Sequence, residues 1–191
     1  KNITASEPKK IQVVQVVGNS TDNYNLDIDV TSLVQKMAKI YQGTAHFLYA
    51  PMYINSDIVR KELLKESVIR RVIEIIRRSD YVVTGIADVS TERKKNTWAG
   101  YLTEEKMQDL VKNGAVGYLC GYFLDKNGKK LSDPINDKII GISFEELKKV
   151  PHVIAVAGGI DKTQAILAAL KGKLINCLIT DSRIAEKLLD M

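Results

Sequence analysis

The stretch Val153-Ile154-Ala155-Val156-Ala157-Gly158-Gly159-Ile160-Asp161-Lys162-Thr163-Gln164-Ala165-Ile166 decides the fold. Its apolar first half predicts a buried strand, and Gly158-Gly159 predicts a tight turn. Beyond the turn, Ala165, Ile166, Ala169 and Leu170 recur at helical spacing, so a helix follows the strand's carboxyl end. The first N–H groups of a helix lack intrahelical acceptors and carry the positive end of its dipole, so this joint is an anion site in outline. Glycine lets the backbone approach an anion closely, and Lys162 adds a full charge. A lysine in a first turn opposes the helix dipole and calls for a reason other than helix stability. The alternative is a plain strand–turn–helix joint with a solvated lysine. The spacing is neither a Walker A loop, which has glycine immediately before lysine, nor G-x-G-x-x-G.

Working outward, strand and helix signals alternate along the chain. Residues 1–10 are polar, lysine-rich and contain Pro8, which reads as a flexible lead-in. Ile11 to Val17 predicts a strand ending at Gly18-Asn19-Ser20, and Leu33, Met37 and Ile40 form a helical stripe over residues 30–41. His46 to Ala50 predicts a second strand stopped by Pro51. A helical pattern then runs from Asp57 to Arg78 with a break near Ser67, its apolar face being Val68, Val72, Ile75 and Ile76. Tyr81 to Ile86 is a third strand, and residues 88–100 are a polar excursion. Thr103 caps an acidic-started helix closing at Gly114. The strand-like run Ala115 to Leu124 leads into Asp125-Lys126-Asn127-Gly128, where Asn-Gly marks a tight turn. Ile139 to Ile142 predicts a short strand, and Ser143-Phe144-Glu145-Glu146 a capping box. A strand over Asn176 to Thr180 and a last helix capped by Asp181 complete the chain.

Helices of ten or more residues between β-rich runs imply parallel strands joined by right-handed crossovers, hence an α/β fold. Ligands in such sheets bind at the carboxyl ends of the strands. Three turns there are marked by glycine: Gly18-Asn19, Gly85-Ile86-Ala87 and Gly158-Gly159.

Composition narrows the function classes. A chain of 191 residues, 45% hydrophobic and 27% charged, suffices for one packed domain and gives no sign of disorder. No apolar run approaches a membrane span. Cys120 and Cys177 lie in apolar runs without C-x-x-C spacing, so buried free thiols in a reducing cytosol are expected. His46 and His152 are isolated, which speaks against catalytic or metal-binding histidines, and no cofactor is implied. The net charge of +5 is concentrated at Arg70-Arg71, Arg77-Arg78 and Arg93-Lys94-Lys95 without interleaved aromatics. That pattern suits a phosphorylated small molecule, or a neighbouring DNA-bound module, better than direct nucleic-acid reading.

One ordered set of motifs carries more than any single piece. It comprises Leu48-Tyr49-Ala50-Pro51, Gly85-Ile86, Gly114-Ala115-Val116-Gly117 with Gly121, Phe123 and Asp125-Lys126-Asn127-Gly128, and Ile135-Asn136-Asp137-Lys138 leading to Ile140-Gly141-Ile142. Ala157-Gly158-Gly159, Lys162, Ala165-Ile166, Ala168-Ala169-Leu170, Leu178-Ile179-Thr180-Asp181 and Ala185 follow. The set resembles the SorC/DeoR-type sugar-binding domain, the effector module of bacterial transcriptional regulators, over residues 11–190. The resemblance implies a Rossmann-like, three-layer, mostly parallel sandwich of the NagB/RpiA/CoA-transferase kind. It also implies a phosphorylated-sugar ligand, an attached helix-turn-helix DNA-binding module, a homo-oligomer (dimer or tetramer) and no membrane. Residues 11–191 are then the effector domain, without the further strand and helix, bearing a Ser-Trp-Gly loop, that family members carry ahead of Ile11. Two more departures are Ala87, where a second glycine is usual, and Tyr118, where an acidic residue is usual.

Carried over by position, the resemblance implies that Lys162 binds a ligand phosphate beside Gly158 and Gly159. Gly85, Ile86 and Ala87 line the sugar, and Arg93 is a second anion contact, or else a solvated loop charge. Gly18, Asn19 and Asp29 are further polar contacts, Asp29 alternatively an N-cap. Asp125 shapes a turn. Sensing needs only differential affinity between two states, whereas a sugar-phosphate isomerase or deaminase on the same fold needs a poised base. No convincing pair of titratable groups stands at the glycine turns, so a sensor rather than an enzyme is expected, with the isomerase or deaminase as the alternative.

Overall fold

The computed structural model describes residues 11–19, 30–89, 98 and 101–191. The 1–10 lead-in, Asp29 and Arg93 lie outside the described residues.

The chain is α/β, with its strands in three sheets among the described residues. β1 (Gln12–Val14) and β2 (Thr44–His46) are parallel, joined through α1 (Val30–Ile40). Two helices follow, α2 (Asp57–Leu63) and α3 (Ser67–Arg77), separated near Ser67 as the sequence predicts. β3 (Tyr81–Gly85), β7 (His152–Val156) and β8 (Cys177–Ile179) make a second parallel sheet in the order β3-β7-β8. Between them in sequence, β4 (Ala87–Asp88), β5 (Gly117–Leu119) and β6 (Tyr122–Leu124) form an antiparallel sheet, with α4 (Glu104–Lys112) before β5. α5 (Phe144–Leu147) precedes β7, α6 (Thr163–Lys171) joins β7 to β8, and α7 (Ser182–Leu189) ends the chain. No described helix is long and apolar enough to cross a membrane.

Local chemistry explains most boundaries. Ser56, Thr103, Ser143 and Asp181 accept hydrogen bonds from first-turn amides of α2, α4, α5 and α7, and Ser143 with Glu146 completes the capping box. Asp125 does shape its turn: its Oδ1 accepts from Asn127 N and Lys129 N, and Gly128 sits at φ +74°.

Five local expectations are corrected. The second strand lies at Thr44–His46 rather than His46 to Ala50, because the Ala50 amide turns back onto the Leu48 carbonyl and leaves the ladder. Ala115 to Leu124 is a hairpin, not one run. Cys120 and Gly121 form its two-residue turn at φ 49° and 82°, the positive pair of a type I′ turn. Ile139 to Ile142 makes only isolated bridges, Tyr53 with Ile139 and Val17 with Gly141, tying the end of β1 to the rest of the molecule. The buried face of α3 is Ile69, Val72, Ile73 and Ile76, while Val68 is exposed. Cys177 is exposed, because its register with Ile154 and Val83 puts it on the uncovered face of the sheet, and Leu170 lies at the surface, because α6 turns Ala165, Ile166, Ala168 and Ala169 inward.

That small-residue face lets α6 lie very close to the antiparallel sheet. A β-carbon at Gly117 would overlap Ala165 and stand 2.6 Å from the Ala87 carbonyl oxygen. At the helix's far end, Gly128 and Gly172 meet backbone to backbone in the same way. The β3-β7-β8 sheet is covered on one face only among the described residues. Val82, Val153 and Ala155 point into the core, whereas Val83, Val156 and Ile179 are 61%, 50% and 55% exposed. Parallel sheets are ordinarily covered on both faces, so this one is atypical.

The tight contact of Gly117 with α6 gives a direct test. Gly117→Ala forces the helix away from β5 and should destabilise the domain by about 2 kcal/mol, as overpacking does. Urea unfolding measures it, and an unchanged midpoint would contradict the packing described.

Candidate functional site at the carboxyl ends of β3, β7 and β8

The parallel register brings two of the three glycine-marked turns together. Gly85 pairs with Val156, and Val156 with Ile179, so the three strands end at one level. Gly85-Ile86-Ala87, Ala157-Gly158-Gly159 and Thr180-Asp181 therefore leave the sheet side by side. A β-carbon at Gly85 would find only the Val156 carbonyl, at 3.9 Å, so there is room beside this turn. Gly159 needs its glycine, since its φ of 101° is unfavourable for other residues. A short 3-10 helix, Ile160–Lys162, follows and lies against β4.

Lys162 is the N-cap of α6 rather than a first-turn residue, and it provides no side-chain acceptor for the helix amides. Its ammonium is half-buried and makes no ion pair among the described residues. An uncapped helix start with a cation beside it suits an external anion.

The turn is not wholly open, however. The Gly159 amide donates to Asp181 Oδ2 at 2.9 Å, while Asp181 Oδ1 caps α7 through the Ile184 amide at 3.1 Å. Hydrogen bonds from Gly159 first, and then from Ile184, hold the Asp181 carboxyl below the usual carboxylate range. Sequence reasoning found the cap but missed the Gly159 contact. The two residues are 22 apart, and no local pattern links them.

The other expected residues are placed as follows. Ile86 is 1% exposed, so its side chain belongs to the core and only its backbone can face the turn. Ala87 pairs with Tyr118, whose ring lies against Trp98 and Phe123. Gly18 and Asn19 are engaged with the loop after β2. Gly18 N donates to Ile140 O, Asn19 N to Ala50 O, and a β-carbon at Gly18 would come within 2.5 Å of that same Ala50 oxygen. Asn19 also accepts from the Gln15 side chain at 2.8 Å and, through its carbonyl, from the Tyr101 hydroxyl at 2.9 Å. Its backbone N and O and its side-chain Oδ1 thus serve the structure around β1.

Tyr53, Trp98, Tyr101, Tyr118 and Phe123 form an aromatic cluster behind Ala87 that sequence spacing did not reveal. Trp98 Nε1 and Thr180 Oγ1 are buried without hydrogen-bond partners among the described residues. At the near hairpin, Cys120 Sγ lies 3.4 Å from Thr84 Oγ1, and burial pushes its thiol up to about 11, which makes it a poor nucleophile. His152 stacks on Tyr81, centroids 4.5 Å apart, and His46 lies in β2, so both have structural surroundings. A separate cleft includes Arg60, Lys130, Asn136 and Asp137, and these four are already paired. Arg60 donates to the Ile139 carbonyl, Lys130 to Asp137, and Asn136 to Phe123 and Leu131.

Chemically, the strand-end site offers a cation, a helix start and a carboxylate held by two backbone amides.

Comparisons with known proteins agree with this architecture. The Sugar-bind family model, a sugar-binding domain, matches residues 1–190. The transcriptional regulator LsrR of Enterobacter sp. is 38% identical over 142 residues, 73% of this chain and 44% of the relative. The deoxyribonucleoside regulator of Bacillus subtilis is 30% identical over 190 residues, all of this chain and 60% of the relative. The chain thus spans about half the length of these relatives, 44% and 60%. Among solved structures, a DeoR family transcriptional regulator from Listeria monocytogenes superposes with TM-score 0.85 at 26% identity, covering 95% of this chain and 70% of that one. The full-length sorbitol operon regulator SorC of Klebsiella pneumoniae, 24% identical, shares the fold with TM-score 0.90 over 97% of this chain and 60% of that one. With its fold and nearly its whole length matched, the chain belongs to the sugar-binding domain family of SorC- and DeoR-type transcriptional regulators.

Proposed function

We propose that this domain senses a phosphorylated sugar at the carboxyl ends of β3, β7 and β8, and that occupancy adjusts DNA binding by an attached helix-turn-helix module. The observation that carries the reading is Lys162, a cation with no ion pair among the described residues, at the start of α6 and beside the Gly158-Gly159 turn. The Lys162 and Thr163 amides are already bonded to the Gly159 and Ile160 carbonyls, so a phosphate there would supply the counter-charge for Lys162. Gly85, the Ile86 backbone and Ala87 would line the sugar, with Gly18 and Asn19 as its outer polar contacts. Arg93 would be a second anion contact and Asp29 a further polar one. The names of the relatives, regulators of a sorbitol operon and of deoxyribonucleosides, fit small polyhydroxylated effectors.

The domain of this reading is residues 11–191, in the cytoplasm, preceded in the whole protein by a further strand and helix and by the DNA-binding module. The edges of β1 and β3 that are unpaired among the described residues, and the apolar face bearing Val83, Val156 and Ile179, are surfaces that such a segment would cover. The whole protein then works as a homo-oligomer, because two-fold operators are read by two-fold assemblies.

Three measurements on the full-length protein test this. Calorimetric titration with a panel of sugar phosphates should find a ligand whose affinity Lys162→Ala weakens by at least about 1.5 kcal/mol with the fold intact. NMR of the same mixtures should show the ligand unchanged; conversion beyond one equivalent would move the protein to an isomerase or deaminase. Sedimentation should give a dimer or tetramer, and a monomer at every ligand concentration would contradict the assembly.

A further inference from the structure

The amide best placed to receive an anion at the glycine turn is already held by a carboxylate of the same chain. Asp181 Oδ2 accepts from Gly159 N at 2.9 Å, and a β-carbon at Gly158 would come within 3.4 Å of that oxygen, so the carboxylate covers the turn itself. Its other oxygen caps α7 through Ile184, whose side chain is fully buried, and α7 packs on α6. No ion pair joins Asp181 to Lys162 among the described residues; Arg183 acts on the Asp181 carboxylate from two positions on, and Asp161 adjoins Lys162 in its short helix.

We propose that Asp181 is the internal anion of this site: in the ligand-free protein it occupies the Gly159 amide, and an oxyanion bound beside Lys162 takes that amide from it. The proposal rests on the reading of Gly158, Gly159 and Lys162 as the anion site. Asp181 then determines which charges the site accepts. A dianionic phosphate meets repulsion from the carboxylate, whereas a ligand hydroxyl can donate to its remaining lone pairs. Because the same side chain caps α7, giving up Gly159 couples ligand arrival to the start of that helix. This is the kind of discrete rearrangement on which a sensor can act.

The test uses full-length protein and inorganic phosphate, followed by calorimetry, for wild type, Asp181→Asn and Lys162→Ala. Asparagine caps helices as well as aspartate, so Asp181→Asn removes the charge while keeping α7 capped; Asp181→Ser serves the same purpose if the amide variant folds poorly. Asp181→Asn should bind phosphate at least about threefold more tightly, with the gain shrinking as salt screens the repulsion, while Lys162→Ala binds more weakly. Unchanged or weaker binding in Asp181→Asn, with Lys162→Ala still weakened, would overturn the role of Asp181 and leave the anion site standing. Phosphate binding insensitive to both substitutions, or absent from all three proteins, would overturn the anion site and this proposal with it.

Discussion

The parallel register of β3, β7 and β8 is the constraint on which the candidate site depends. Pairing Gly85 with Val156, and Val156 with Ile179, ends three strands at one level, so three loops widely separated in sequence must emerge together. Each loop then behaves as its residues dictate. The first opens space beside Gly85, the second turns sharply through Gly159 at φ 101°, and the third presents Asp181. A slip of one residue in either pairing would send Val82, Val153 and Ala155 out of the core, so the burial that stabilises the sheet also fixes the site.

A second constraint locates Lys162. α6 can approach the antiparallel sheet only because Ala165, Ala168 and Ala169 face it and Gly117 and Gly128 leave room. The 3-10 helix that leads into α6 is thereby held against β4. The electrostatics follow from this packing. A helix with no capping side chain begins beside a lysine, and across the turn a carboxylate kept ionised by two backbone amides occupies the glycine.

Much of this was legible in the sequence where local chemistry decides the structure. The β7–turn–α6 segment, the caps at Thr103, Ser143 and Asp181, and the Asp125 turn are set by residues within a few positions of one another, and they appear as expected. The misses arise where distant contacts decide. The Cys120-Gly121 hairpin hid inside an apolar run because its flanking residues are buried on both faces, which removes the alternating pattern. The end of β2 moved because the Ala50 amide found a nearer carbonyl. Ile86 looked like a pocket residue by position, yet its side chain fills the core. The contact of Asp181 with Gly159, the aromatic cluster around Trp98 and the exposed face of the β3-β7-β8 sheet all depend on how the elements stack.

The central claim is that an anionic sugar ligand sits on the glycine turns at the strand ends. Selective 15N-glycine labelling of the full-length protein tests it most directly, since only 12 glycines lie in this chain and they sample the whole fold. Titration with the tightest sugar phosphate should shift Gly85, Gly158 and Gly159 strongly and leave Gly114, Gly128 and Gly172 in place. Shifts centred on Gly128 and Gly172, or no movement at Gly158 and Gly159 at saturating ligand, would contradict the account.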